Sequence, residues 1–509
     1  MERILTKRAK TTFISGMLFG LLCHMFFLTN VLKNYDGVIQ NGFGAGVTSG
    51  RWLLEWAGSY VKMLWGDYNI PWFGSILALF TLAIAASIVV EIFDYKKKTS
   101  WILWPGIFIC FPTVASTLVF SNTSLFYAVA VLMMVLACYL AEKTKHGWVM
   151  AIILSACSMG IYQAYLPMMI SVFLLLTIEK LLNTEISIKD IVQTGFTYIG
   201  IILGALVTYY GLLQWRLHHT GKTLSDYQGI NELGTSGISN IGSAIYAAYK
   251  AFIQTFVADY ASISATPIIN VMRMVICVCA LIMLMFYLAW NHTLYSLIRL
   301  FLLMLAVLMI PLAFGSIHLM CPDSAIYTLM VYGQVFFYAF YFLVFEMVTN
   351  DTAKNVLVSC GALVGSIAIC CTMLNYTYQI NGGYATLYYA NKQAENYFAQ
   401  MFAQVRMTPG FTTDKKWVFV GEDIQDPMYE NPWAQKEFCY GGIGDSMLNV
   451  WSRAEFIEQT LGFKVSFATQ DEIDMVRGNG ELEGMTRYPN DGSIKVTKDY
   501  VIICLDETE

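Results

Sequence analysis

Long apolar segments, separated by short polar connections, fill the chain up to about residue 378. About eleven of them reach the roughly 20 residues that a helix needs to cross a bilayer. They lie at 12–29, 72–92, 101–119, 125–141, 147–164, 166–181, 191–213, 268–290, 294–314, 326–348 and 355–376. Several contain proline, which membrane helices tolerate when neighbouring groups satisfy the freed backbone. The pattern predicts a polytopic α-helical membrane protein with about 11 transmembrane helices.

The hydrophobic pattern changes after about residue 378, where polar residues become frequent and the apolar runs become short. The predicted elements are an amphipathic helix over 384–406, a strand over 417–420, a helix over 447–461, a strand over 464–467, a helix over 470–476 and a hairpin of 493–496 with 500–505. We therefore expect two domains, a transmembrane domain of residues 1–378 and a small α/β domain of residues 379–509.

Two of the connections between apolar segments are long and polar, at 30–71 and 214–267. The stretch Trp52–Val61 has apolar residues at helical spacing and several aromatic rings, which is typical of a helix lying in the membrane interface. A second amphipathic stretch lies near Ile245–Phe256. These connections indicate chemistry at the membrane surface and do not suggest a simple pore.

Lysine and arginine mark every second connection. The marked positions are Lys7, Arg8 and Lys10, then Lys96–Lys98, Lys143 and Lys145, Lys180 and Lys189, Arg299, and Lys354. Because cytoplasmic loops are rich in these residues, the N-terminus is expected in the cytoplasm, and an odd number of spans places the C-terminal domain outside. The first apolar run is long and lacks a small-residue cleavage site, so a retained helix is expected and not a signal peptide.

Composition supports a membrane location and narrows the function classes. Of the 509 residues, 57% are hydrophobic and 13% are charged, against about 25% charged in a typical soluble domain. The chain has no basic domain or nucleic-acid motif, so nucleic acid is not an expected partner. Most of the 12 cysteines lie in apolar segments, as small packing residues do. Cys439 and Cys504, both in the C-terminal domain, are either bridged or free.

Asp36 is the leading candidate for a catalytic residue. It follows the first apolar segment, where an external carboxylate can act as a general base toward an acceptor hydroxyl. The other interpretation is structural, because Asp36-Gly37 is also a good turn pair. Arg51, in the motif of residues 49–52, either holds a phosphate through a charge-assisted fork or extends toward lipid headgroups.

Three further charged residues belong to the two long connections. Asp67 either contributes to donor binding or turns the chain into the second span, and Glu55 either solvates its helix or assists the site. Arg216 is a second cation for a phosphate. No Asp-x-Asp pair occurs in the first connection, so the sequence supports neither a metal site nor a cofactor.

Polar aromatic residues lie at the hinge between the fifth and sixth apolar segments. Tyr162 and Tyr165 offer ring faces that stack on pyranose sugars, and the amide of Gln163 can recognise hydroxyl groups. Tyrosines are also common at membrane interfaces for structural reasons. His318 and Asp323 share the short connection at 315–325, where they either join the same pocket or close a turn.

The order of these motifs resembles a known family. Asp36, the Ser49-Gly50-Arg51-Trp52 motif and residues 162–165 resemble bacterial integral-membrane glucosyltransferases of the O-antigen-modifying, serotype-converting type, which are similar in plan to GT-C glycosyltransferases. The resemblance covers about residues 10–375, and many relatives also carry an external α/β tail. Each motif is short, so their order and the topology together carry the resemblance.

The resemblance implies an enzyme of the bacterial cytoplasmic (inner) membrane. Such an enzyme moves a sugar, typically glucose, from a polyprenyl-phosphate donor to a surface glycan outside that membrane. It implies that Asp36 is the base and that Arg51 has a structural or donor-phosphate role, with inversion at the sugar. This chain departs from many relatives because Gly37 replaces a second acidic or polar residue, which puts any metal role in doubt.

Two other functions fit the same general layout. A transporter or flippase of lipid-linked sugar shares the many spans, but it tends to line a central path with ionisable residues, which spans two to seven largely lack. A glycan polymerase or ligase shares the donor chemistry but usually relies on a large external loop with paired arginines. Here the second long connection offers only Arg216 as a clear candidate.

Overall fold

The structure is a computed structural model that describes residues 6–32, 34, 46–66, 71–225, 241–290, 296–321, 325–348, 354–421 and 452–505. The chain divides into two compact units. The first contains most of the described residues up to Asn381, and the second contains most of those from Gly382 onward.

The first unit is helical. Its helices are α1 (Lys7–Thr29), α2 (Trp52–Trp65), α3 (Pro71–Ile92), α4 (Lys98–Ile109), α5 (Pro112–Val119), α6 (Ser124–Lys143), α7 (Gly147–Ile161), α8 (Leu166–Leu182), α9 (Ile188–Thr220), α10 (Ile241–Gln254), α11 (Pro267–Trp290), α12 (Leu297–Leu308), α13 (Ile310–Phe314), α14 (Ile317–Met320), α15 (Phe336–Met347) and the start of α16 (Val356–Met407). Short 3₁₀ turns connect several of these helices.

Within the described ranges, eight helical segments are long and apolar enough to cross a membrane. The bent pair α4 and α5, with 45° between the two helices, makes a ninth if it is counted as one span. Two predicted spans differ: α7 has only 15 residues, and 326–348 forms two 3₁₀ turns and the 12-residue α15. All of α15 from Phe336 to Phe345 is buried, and apolar pattern alone cannot distinguish a buried helix from a span. The polytopic helical class is confirmed, and the total of eleven stays a prediction.

Both predicted amphipathic stretches form helices. In α2, Trp52, Leu54 and Gly58 are buried, while Trp56 and Trp65 are exposed. In α10 the buried face consists of small residues, Ala244, Ala248 and Ala251. An exposed aromatic and apolar face on a short helix suits the membrane interface.

One set of helix ends in the first unit is rich in charge. At the start of α1, Arg8 contacts Glu91 and Asp94 at the end of α3. At the end of α8, Lys180 pairs with Glu142 of α6. These contacts join several of the connections in which the sequence concentrates lysine and arginine. We call this region the charged end.

Arg299, at the start of α12, also belongs to the charged end and is almost fully buried. Its guanidinium donates to the carbonyl oxygens of Leu181 at 2.9 Å, Asn183 at 2.6 Å and Ile186 at 2.5 Å, with Lys180 at 3.4 Å. The last carbonyls of a helix have no partner within the helix. Arg299 therefore caps the C-terminus of α8 with a charge that suits the helix dipole.

The chain between the two units does not break where the sequence predicts. The predicted span 355–376 and the predicted helix 384–406 form one 52-residue helix, α16. The sequence predicts two elements because polar residues become frequent after about residue 378, but a change in polarity does not by itself end a helix. Asn381 donates to the carbonyls of Thr377 and Cys23, which ties this part of α16 to α1.

The second unit contains a small three-stranded sheet. Its further elements are β1 (Lys416–Val420), α17 (Arg453–Glu455), a π-helical turn (Phe456–Thr460), α18 (Gln470–Gly478), β2 (Ile494–Val496) and β3 (Tyr500–Cys504). The strand order is β1-β3-β2, with β1 parallel to β3 and β2 antiparallel to β3. The predicted strand at 417–420, helix at 470–476 and C-terminal hairpin are confirmed.

Two predictions for the second unit need correction or fall partly outside the structure. Residues 464–467 do not form a strand; Phe467 makes only an isolated bridge to Trp417. Of the predicted helix 447–461, residues 447–451 lie outside the described residues, and Arg453–Thr460 is helical. The core is formed around Val418, Ile502 and Val476, so α18 packs on the sheet.

Candidate active site

A 3₁₀ turn at Val47–Ser49 precedes α2 and positions the candidate Arg51. The amide of Gln163 donates to the carbonyl of Ser49 at 2.8 Å and to the hydroxyl of Tyr209 at 3.0 Å. That hydroxyl in turn donates to the carbonyl of Gly50 at 3.0 Å. Gln163, just after α7, and Tyr209, within α9, thus hold the turn in place.

Gly50 is required in this turn for two physical reasons. Its φ of 73° lies in the left-handed region that other residues rarely adopt. A Cβ at this position would lie 2.4 Å from the Gln163 Nε2 and 2.5 Å from the Tyr209 hydroxyl. The close approach of Gln163 and Tyr209 to the backbone explains why glycine precedes Arg51 in the motif of residues 49–52.

Arg51 lies among tyrosines at the start of α2. Its Nη1 donates to the hydroxyl of Tyr127 at 3.1 Å, and its guanidinium lies 5.0 Å from the ring centre of Tyr162. The Tyr127 and Tyr162 rings stack with centroids 4.8 Å apart, and Tyr165 meets both edge-on. Tyr332 contacts Tyr165 in the same way. We call these five residues the arginine–tyrosine cluster.

The contacts with Tyr127 and Tyr162 orient the guanidinium of Arg51. A cation on an aromatic face is attracted by the ring quadrupole, and a tyrosine hydroxyl accepts one hydrogen bond. The four tyrosine rings are almost fully buried and pack against one another. The cluster therefore holds in place a guanidinium, the group whose planar fork recognises a phosphate.

Glu55 and Arg216 lie on the other side of the turn. The Glu55 Oε2 accepts from the backbone N–H of Val47 at 2.8 Å. Its Oε1 lies 3.5 Å from the Lys222 Nζ and 3.9 Å from the Arg216 Nη2. Glu55 thus fixes the turn instead of simply solvating its helix, and it reduces the net charge around Arg216.

Of the remaining predicted residues, His318 contacts Tyr260, and the others lie outside the described residues. The Nε2 of His318, in α14, lies 2.8 Å from the hydroxyl of Tyr260, and burial lowers the pKa of His318. The other predicted site residues, Asp36, Asp67 and Asp323, lie outside the described residues, as does Cys439 of the considered disulfide. Arg51, Tyr162, Gln163 and Tyr165 are therefore the predicted residues that the structure brings together.

Sequence reasoning missed Tyr127 and Tyr209, which hold Arg51 and its turn. Both lie inside apolar segments where tyrosine is common, so no local signal marked them. It also missed Arg273, a fully buried arginine in α11. An arginine inside a membrane span is itself a signal for function. As for metals, no group of three His, Cys, Asp or Glu side chains comes together in the described part of the chain.

These features define a class, a polytopic helical membrane protein with a cation–tyrosine cluster where several helices end. Residues 25–338, more than half of the chain, match the family model described as Glucosyl transferase GtrII, and the chain belongs to this family. The match includes the whole arginine–tyrosine cluster and confirms the resemblance drawn from the motifs. Family membership supports glycosyltransferase activity. No curated protein and no solved structure gives a significant match.

Proposed function

We propose that this protein transfers a sugar, expected to be glucose, from a polyprenyl-phosphate donor to a surface glycan. The reaction takes place at the outer face of the bacterial cytoplasmic membrane, with the N-terminus in the cytoplasm and the C-terminal domain outside. The charged end supports this orientation, because basic residues concentrate on the cytoplasmic side of membrane proteins. In this orientation the charged end faces the cytoplasm, and the arginine–tyrosine cluster lies toward the outer surface.

The observation that carries the proposal is the arginine–tyrosine cluster beside the interfacial helix α2. A lipid-linked sugar phosphate has its head at the interface and its tail in lipid. Arg51 provides a fork for the phosphate, and the stacked rings of Tyr127 and Tyr162 hold this fork in place. The exposed Trp56 and Trp65 of α2 hold the site at the depth where the donor head lies.

The proposed reaction is a single displacement at the anomeric carbon. The acceptor hydroxyl attacks this carbon while Asp36 takes its proton, and the bond to the phosphate oxygen breaks with its electron pair leaving on the phosphate. Arg51 stabilises the charge that develops there. Arg216 contributes less, because Glu55 lies 3.9 Å away. The displacement inverts the sugar and uses no group beyond the chain and its two substrates.

A transfer assay in lipid tests the proposal. The purified full chain is reconstituted in liposomes with radiolabelled polyprenyl-phosphate-glucose and a surface-glycan extract. Wild type is expected to label the glycan, and Asp36→Asn is expected to transfer no detectable label. Asp414→Asn makes the same chemical change at an exposed position of the second unit and is expected to behave as wild type.

The outcomes separate the parts of the proposal. No turnover of the donor by wild type contradicts the proposed donor and favours another sugar or the transporter alternative. Equal transfer by wild type and Asp36→Asn contradicts Asp36 as the base and directs attention to Glu55 and Asp67. Lengthened glycan chains in place of side-chain labelling indicate the polymerase alternative.

A further inference from the structure

Arg273 is a fully buried arginine within the membrane-spanning helix α11. It lies six residues after Pro267, the first residue of the helix, and thus about 9 Å along the helix axis. Three aromatic rings surround its guanidinium: Phe337 at 4.5 Å, Phe256 at 5.5 Å and Tyr338 at 5.7 Å. The side chain therefore lies in an aromatic cage below the start of the helix.

The hydrogen bonds of this arginine are incomplete. Its Nη1 lies at the long distance of 3.5 Å from the hydroxyl of Tyr338. The hydroxyl of Tyr376 also approaches the guanidinium. The Nε and Nη2 of Arg273 have no partner in hydrogen-bond geometry among the residues that the structure describes. Over the same residues, no carboxylate lies within 4.0 Å of the guanidinium. Arginine keeps its charge in proteins, and rings compensate only part of the cost of burying it.

Arg299, in the same unit, is buried to a similar extent as Arg273 and can be compared with it. Arg299 contacts four carbonyl oxygens and so has a clear structural role. Arg273 has no such acceptors in the described part of the chain, although its guanidinium carries the same donors. A buried cation with free donors inside a membrane protein is suited to receive an anion.

Aromatic contacts connect Arg273 to the arginine–tyrosine cluster. The hydroxyls of Tyr338 and Tyr376 lie 3.1 Å apart, and Tyr376 meets Phe111 edge-on at 5.8 Å. Phe111 stacks on Tyr332, which contacts Tyr165. Both arginines thus border one continuous aromatic region of the first unit.

Phe256 forms the side of the cage that is nearest to the surface. It is half-buried and belongs to the irregular segment between α10 and α11. In that segment Ala261 and Ser262 have φ values of 49° and 60°, which side-chain-bearing residues rarely adopt. Irregular backbone beside membrane spans is tolerated where it is buried in protein or lines a cavity. Phe256 is therefore the ring of the cage that is most accessible from outside.

We propose that Arg273 is a second anion site, which binds the phosphate of a lipid-linked ligand. The inference rests on the proposed function for the molecule that carries this phosphate. That molecule is the polyprenyl-phosphate donor or the carrier phosphate left after transfer. The phosphate accepts hydrogen bonds from Nε and Nη2, and the surrounding rings contact the first isoprene units. The headgroup of a bilayer phospholipid offers the same phosphate chemistry, and the experiment distinguishes these sources.

Thermal unfolding of the purified full chain in detergent tests this site. The probes are farnesyl phosphate, inorganic phosphate and phosphatidylglycerol in mixed micelles, each titrated against wild type and Arg273→Met. A ligand that binds only the folded state raises the melting temperature. Farnesyl phosphate is expected to raise it for wild type, with a half-saturating concentration at least tenfold higher for Arg273→Met. Arg299→Met is the matched control and is expected to keep the wild-type half-saturating concentration.

The melting temperature without a probe gives a second signature. Arg273→Met removes a buried, uncompensated charge and keeps an apolar side chain in its place, so it is expected to melt at or above the wild-type temperature. A purely structural Arg273 predicts the opposite, a clear loss of melting temperature with unchanged probe binding. Arg273→Lys retains the charge without the fork and is expected to bind farnesyl phosphate more weakly than wild type.

Each outcome decides the proposal. Equal half-saturating concentrations for wild type and Arg273→Met, or no shift of wild type with any probe, overturn it. A shift that depends on Arg273 with phosphatidylglycerol alone supports the anion site and assigns it to a bilayer lipid. If farnesyl phosphate raises the melting temperature in a way that depends on Arg273, the anion site is supported. If the same protein fails the transfer assay, the proposed function is contradicted while the anion site stands.

Discussion

Two regions of the first unit surround their arginines with different groups. At the charged end, Arg8 contacts two carboxylates and Arg299 contacts four carbonyl oxygens. In the aromatic region, Arg51 and Arg273 lie against tyrosine and phenylalanine rings. The charged end gives its arginines carboxylate and carbonyl oxygens, whereas Arg273 has neither as a hydrogen-bond partner in the described part of the chain.

This difference separates a structural role from a binding role for the same residue type. Compensation by carbonyls and carboxylates stabilises helix ends, and its removal leaves buried acceptors without donors. Arg273, caged by rings in surroundings of low dielectric constant, is expected to attract an anion strongly. We therefore expect variants of the charged end to change stability and variants of the aromatic region to change function.

The largest expected effect is on catalysis by Arg51→Gln. Loss of a positive charge that stabilises a departing phosphate is expected to lower the transfer rate by about 100- to 1,000-fold, or roughly 3–4 kcal/mol of barrier. The liposome transfer assay measures this rate, and thermal unfolding checks the fold, which is expected to remain close to wild type.

Arg8→Gln, at the charged end, is the control for this change. It removes a compensated arginine and is expected to keep most of the transfer rate. If both variants lose the same fraction of the rate, the two regions do not differ in function, and the comparison fails.

The next effect is on stability, through Arg299→Met. Four carbonyl oxygens at and just after the end of α8 lose this donor; the carbonyl of Asn183 keeps the N–H of Ile186, and the bond to Leu181 is the fully buried one. An unsatisfied buried acceptor costs about 1–3 kcal/mol before relaxation. With relaxation, we expect a net destabilisation of about 2–4 kcal/mol, measured as a loss of melting temperature. Arg299→Lys keeps a donor and is expected to lose less. A melting temperature equal to that of wild type contradicts the capping role.

The smallest expected effect is the pH dependence that His318 contributes. Burial lowers the pKa of His318 in the folded state below its ordinary value of 6.5. The unfolded chain then binds the proton more readily, so this contribution to stability is complete above pH 6.5 and is lost as the pH falls below it. The melting temperature between pH 8 and pH 5 measures the effect.

Two variants show how much His318 contributes to the pH dependence of the melting temperature. His318→Gln can still hydrogen-bond to Tyr260 and does not titrate, so its melting temperature is expected to fall less than that of wild type in acid. His219→Gln, at an exposed position of α9, is expected to keep the wild-type pH dependence. An unchanged slope for His318→Gln would show that His318 does not contribute.

Local pattern predicted much of the secondary structure for physical reasons. Helices α1, α3, α6 and α8 follow from unbroken apolar runs, and the amphipathic α2 follows from its helical spacing. The break expected before 384–406 was wrong, because contacts of Asn381 with α1 support a continuous helix. The strand expected at 464–467 was also wrong, since a strand requires a neighbour and only Phe467 finds one. A sequence pattern predicts an element when burial and exposure alternate regularly along it, and it does not show the contacts that single residues make with distant parts of the chain.

By itself, the sequence determined the membrane class, the family and the identity of the candidate pair Arg51 and Gln163. Hydropathy and motif order are properties of neighbouring residues, so they can be read along one chain. Only the tertiary structure decided that Gln163 braces the turn of Gly50, that Tyr127 holds Arg51, and that Arg299 is compensated while Arg273 is not. A charge is compensated by groups that are distant along the chain but close in space. No local sequence pattern shows which distant groups come close.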